Sequence, residues 1–92
     1  MQDTELFNCC TNAEAPDWSQ YDGITLGGCV MDGEDHVDGG IEREHAEFFT
    51  VYGHLKEGGC EALTDVHAEF DAALVIAARV GIISKLPLYI EC

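Results

Sequence analysis

Four carboxylates and a histidine crowd the stretch Asp32-Gly33-Glu34-Asp35-His36-Val37-Asp38, a density of oxygen ligands that suits a hard cation. A calcium-binding EF-hand loop needs oxygen ligands at its first, third and fifth positions, glycine at the sixth and glutamate at the twelfth. Counted from Asp32, the fifth position is His36, the sixth Val37 and the twelfth Arg43, so the motif fails. Divalent ions would gather there only as a by-product of clustered charge, and no metal site is assigned.

The sulfur and imidazole groups offer two further chemistries. Cys9, Cys10, Cys29 and Cys60 could join His36, His45, His54 or His67 around zinc, but no CxxC or HxxxH spacing pre-positions ligands. Cys60 and His54 flank a turn, and a hairpin would bring them together as nucleophile and base. Residue types this common meet by chance, and there is no G-x-S-x-G elbow, phosphate-cradling glycine loop or H-E-x-x-H pair. The sequence therefore predicts no catalytic residue, no cofactor and no enzyme. An odd cysteine count with an adjacent pair argues against a disulfide framework and for reduced thiols.

Charge is the feature that carries function. Eighteen Asp and Glu face four Lys and Arg, giving a formal charge of −14, and ten of the acids precede Arg43, the first basic side chain. Such a chain repels phosphates, so stacking of bases on Tyr52 and Phe48 is disfavoured and no direct nucleic-acid binding is expected. Carboxylates at i and i+2 on a strand stand about 6.7 Å apart, and at i and i+4 on a helix about 6 Å apart. Rows of that spacing resemble a phosphate backbone. A protein groove lined with Lys and Arg to hold nucleic acid would attract them by long-range steering.

The elements that must position these groups are clearest in the second half. Glu47–Leu55 alternates and is rich in β-branched and aromatic residues, Lys56-Glu-Gly-Gly59 supplies a turn, and Cys60–Val66 resumes the extended pattern. This predicts a hairpin over 47–66 with Glu61 and Asp65 on one face. A helix over about 67–82 follows, capped by Thr64 or Asp65 and loosened or ended at Gly81, with Phe70, Ala73, Leu74, Ala77 and Val80 inward. With Phe49, Val51 and Leu63, these residues except Ala73 form the expected core. Pro87 confines Leu88–Ile90 to an edge strand or tail.

Earlier signals are weaker. Asp22-Gly23 reads as a turn, and Ile24–Met31 as a strand with a bulge at Gly27-Gly28. Residues 31–40 read as an acidic loop, Ile41–Glu47 as one helical turn, Thr4–Cys10 as a further strand, and Trp18 as an anchor in a loop. The sum is one α+β domain over 1–92, a small antiparallel sheet of three or four strands packed against one main helix. With 47% hydrophobic residues the chain is expected to fold. No run is long enough to span a membrane, and Met1-Gln-Asp-Thr-Glu lacks the basic start of a signal peptide, so a cytoplasmic location is expected.

Small size, acidity, a hairpin and a helix together resemble the anti-CRISPR and anti-restriction proteins of phages and plasmids, several of which mimic DNA. The segment FFTVYGHLKEGGCEALTDV is also similar to short phage and plasmid proteins, the likeness covering about residues 47–80. The resemblance implies a non-enzymatic inhibitor acting in the host cytoplasm on a CRISPR effector, restriction enzyme or nuclease. The partner-binding residues expected from charge density are Asp32, Glu34, Asp35 and Asp38, followed by Glu42, Glu44 and Glu47. A second set comprises Glu61, Asp65, Glu69 and Asp71. The alternative readings are a Cys/His metal-binding module, a self-assembling structural or regulatory module that uses apolar surface, and adaptation to high salt.

Overall fold

A computed structural model describes residues 6–10, 14–31 and 37–92. Its elements are β1 (Tyr21–Met31), β2 (Val37–Ile41), β3 (Phe48–Leu55), β4 (Cys60–Val66), α1 (Phe70–Ser84) and β5 (Leu88–Ile90). The strands form one sheet in the order β2-β1-β3-β4, with antiparallel pairing throughout that path. β5 adds to β1 in parallel, Ile24 facing Leu88 and Leu26 facing Ile90. Because β3 occupies one edge of β1, β2 and β5 share the other edge. The fold is α+β, a five-stranded sheet packed on one helix.

The hairpin forms as the alternation predicts, and its turn uses positive φ angles at Gly58 (109°) and Gly59 (81°) that favour glycine. The sheet's inner face presents Ile24, Leu26, Phe49, Val51, Leu63 and Val66 to Ala73, Ile76, Ala77 and Val80 of α1. Alanines at the contact let the helix lie close to the sheet. Phe70 packs on the rim of this core, whereas Leu74 points outward and is 37% exposed. Burial of Ile76 in its place rotates the inward face from the predicted one.

Other expectations are corrected. The helix begins at Phe70 with Glu69 as its N-cap, so neither Thr64 nor Asp65 caps it, and it continues through Gly81 to end at Lys85 in the left-handed region. Asp22-Gly23 lies within β1 at a register shift and is not a reversal. Residues 37–40, read as loop, and Ile41, read as the start of a helical turn, pair with β1 as β2, and the turn that follows closes through His45 N–H to the Glu42 carbonyl at 2.9 Å. Strand formation there depends on the open edge of β1 more than on the propensity of VDGGI. A register shift between Gly28 and Val30 answers to the bulge expected at Gly27-Gly28.

Leu6–Cys10 forms turns instead of a strand, and Thr4 lies outside the described residues. The segment nevertheless covers the outer edge of β4. The Asn8 carboxamide accepts from Asp65 N–H at 2.8 Å and donates to the Asp65 carbonyl at 2.9 Å, while Phe7 N–H donates to Thr64 Oγ1 at 2.9 Å. A single side chain thus supplies the two bonds that a neighbouring strand would make. Trp18 anchors against this cluster, its ring 5.8 Å from Phe7 and 6.0 Å from Tyr21. Among the described residues, no helix is long and apolar enough to cross a membrane.

Candidate functional site

β2 and β3 lie on opposite edges of β1, so the connection 42–47 must cross that strand. It crosses on the helix side over Gly28, where a β-carbon would collide with the Ile41 carbonyl oxygen and stand 3.1 Å from Ala46 Cβ. The crossing chain then meets the start of α1. Arg43 lies 3.9 Å above the Phe70 ring, and its Nε and Nη2 donate to the Cys92 main-chain oxygen at 3.2 and 2.8 Å. Glu47 is fixed at both levels: its N–H donates to the Cys29 carbonyl at 2.8 Å, and its Oε1 accepts from Met31 N–H at 2.9 Å.

This packing joins two parts of the chain that the sequence separates. Glu47 of the crossover and Glu69 before α1 line one groove of about 520 Å³ with Arg43, His67 and Phe70. Glu42, Glu44 and Asp71 are exposed beside it. Glu69 at the N-cap makes no side-chain capping bond, and with Asp71 it places negative charge at the positive end of the helix dipole. The site is an acidic rim around a stacked arginine. Carboxylates in such a rim can accept charge-assisted hydrogen bonds from cationic donors.

The remaining predicted residues go elsewhere. Asp32, Glu34 and Asp35 lie outside the described residues, and Asp38 is half-buried in β2. Glu61 and Asp65 do not share a face. The β3–β4 register passes from Val51 opposite Thr64 to Tyr52 opposite Ala62, which leaves Leu63 as an extra residue. That bulge sets Glu61 across from Gly53 on the inner face and Asp65 across from Thr50 on the outer one. Both carboxylates have internal partners, Glu61 Oε2 accepting from Tyr21 Oη at 2.8 Å and Asp65 Oδ1 from Thr50 Oγ1 at 2.7 Å.

On the outer face His54 sits opposite Cys60, as a hairpin requires. No hydrogen bond joins them; His54 Nδ1 instead pairs with Asp22 Oδ1 at 2.6 Å, both side chains about half exposed. Asp22, absent from the sequence-based candidates, is placed there by the irregularity at the start of β1. No local motif signals it. With Thr25, Tyr89 and Glu91 the pair lines a shallow groove of about 420 Å³.

Three of the thiols, Cys9, Cys10 and Cys92, lie in surroundings that oppose ionisation. Burial, followed by the Asp65 carboxylate, pushes Cys9 up to about 11. Burial with Glu61 raises Cys10, and burial raises Cys92. Cys29 is fully buried, its sulfur 3.4 Å from Thr50 Oγ1 and 3.3 Å from Tyr52 Oη. Among the described residues, no three His, Cys, Asp or Glu side chains converge to hold a metal ion. Compared with protein-family models, curated proteins and solved structures, the chain finds no match in any of the three.

Proposed function

We propose that the protein is a non-enzymatic inhibitor that docks its acidic rim on a basic, nucleic-acid-binding surface of a defence complex or nuclease. The observation that carries this reading is that Glu47 and Glu69 line one groove with Arg43 and Phe70, whose sequence neighbours Glu42, Glu44 and Asp71 are exposed. The nearest cation, Arg43, is already engaged by Phe70 and Cys92. Five carboxylates carried on packed backbone need little backbone ordering on binding Lys and Arg, and the net charge of −14 steers encounter with a basic groove. Glu61 and Asp65 lie on β4 on opposite faces of the sheet and do not line this groove, so they are left out of the contact set, whereas Glu47 lines it with its Oε1 bonded to Met31 N–H.

The test is affinity capture by the full chain from a bacterial lysate containing CRISPR and restriction systems, at low and high salt, with mass spectrometric identification. A nucleic-acid-binding complex should be recovered at low salt, released as salt rises, and blocked from cleaving its substrate by added protein. The combined variant Glu42→Gln, Glu44→Gln, Glu47→Gln, Glu69→Gln and Asp71→Asn keeps side-chain shape and removes charge. Equal capture by that variant would sink the assignment.

A further inference from the structure

α1 is apolar on nearly every side. Its outer row, Asp71, Val75, Ala78 and Ile82, faces away from the sheet, with Val75 59% and Ile82 77% exposed and Leu74 and Ile83 alongside at 37% and 45%. A helix apolar all round is ordinarily buried on all sides, and an apolar surface of this kind marks a contact face. Charge points to the same region. From Ala72 to Ile90 there is no Asp or Glu, although the chain has eighteen, and the segment holds Arg79 and Lys85, two of its four basic side chains.

We infer that the outer face of α1 is an isologous interface that pairs with the same helix of a second copy, antiparallel about a two-fold axis through Ala78. A partner of this charge can approach where its own acids are missing, and the α1 face is such a place. Small Ala78 at the crossing permits close approach of the two helices. Asp71 and Lys85 stand at equal distances in sequence from Ala78, so each Asp71 meets Lys85 of the other copy, and Leu74 meets Ile82. Self-complementarity of this kind is what a two-fold contact demands.

A helix of this length spans only about 22 Å, which offers less than the roughly 800 Å² per partner of a standard interface. The dimer therefore belongs in the micromolar range, and screening of like net charge strengthens it as salt rises. Asp71 is shared by the two surfaces, so the dimer leaves Glu42, Glu44, Glu47 and Glu69 to the rim; the salt response is opposite to that of docking on a basic partner, so either idea can fail without the other.

Sedimentation velocity on the full chain over a concentration series should give a mass rising toward that of two copies, at lower concentration in high salt. Val75→Glu and Ile82→Glu should each raise the midpoint by at least about tenfold with the helical circular dichroism retained. Asp71→Lys and Lys85→Asp should each be monomeric alone and form a mixed dimer when combined. A monomer at every concentration and salt, a dimer indifferent to Val75→Glu and Ile82→Glu, or no pairing of the charge-swapped variants would overturn the inference.

Discussion

The ring of Tyr21 covers Gly53 so closely that a β-carbon on the glycine would stand 2.6 Å from Tyr21 Cδ1. Tyr52 repeats the relationship on the other face, where a β-carbon on Gly27 would stand 3.2 Å from its ring. At Gly28 the obstacle is backbone, the Ile41 carbonyl, which has no rotamer with which to move aside. Substitution by alanine should thus destabilise in the order Gly28, Gly53, Gly27, with Gly53→Ala costing about 1–3 kcal/mol and Gly28→Ala more. Urea unfolding of the three variants checks the order.

Stability should fall in alkali. Burial, followed by the hydrogen bond to Glu61, pushes Tyr21 from 10.0 up to about 12, so the unfolded chain gives up this proton at lower pH than the folded one. The contribution of Tyr21 is full below pH 10.0 and is lost as pH rises toward about 12. Cys9 acts in the same sense between 9.0 and about 11. Melting temperature measured against pH should decline from about pH 9 upward, with a shallower decline above pH 10 in Tyr21→Phe.

The Asn8 clamp should matter more than one surface side chain ordinarily does. Asn8→Ala removes two hydrogen bonds to Asp65 and should cost about 1–3 kcal/mol. It also uncovers the edge of β4, so the variant should form sheet-rich aggregates faster on mild heating. Light scattering at a temperature below the melting transition reads this out.

Thiol labelling should rank the cysteines by environment. Cys60 is exposed, Cys29 is fully buried, and Cys9 is exposed but held protonated. Brief treatment at neutral pH should modify Cys60 first and Cys9 at least about tenfold more slowly, since the thiolate is the reactive form. Cys29 should react only on unfolding. Peptide mapping after timed quenching gives the order, and early labelling of Cys29 would contradict the packing around Thr50 and Tyr52.

The hairpin was legible because alternation and a Gly-Gly turn are local signals, and the edge strand Leu88–Ile90 because proline restricts where a strand can lie. The helix was legible in existence but not in rotation. When both sides are apolar, periodicity cannot distinguish Leu74, which faces out, from Ile76, which faces the sheet. β2 was hidden because Asp38, Gly39 and Gly40 have no strand preference of their own and rely on pairing with β1. Of the site, the acids were visible as composition, but their grouping was not. The bulge at Leu63 separates Glu61 from Asp65, and the contact between Arg43 and Phe70 joins segments distant in sequence.

β1 is synthesised early and completed late. Ile24–Leu26 cannot close its second edge until Leu88–Ile90 arrives, most of the chain's length afterwards, and β4 comes late to the Asn8 clamp. Non-local pairings of this kind fold slowly and leave apolar strand exposed meanwhile. A nascent chain in that state carries ten acids and no Lys or Arg before Arg43, so neighbouring unfinished copies repel one another for as long as the edge of β1 stays open.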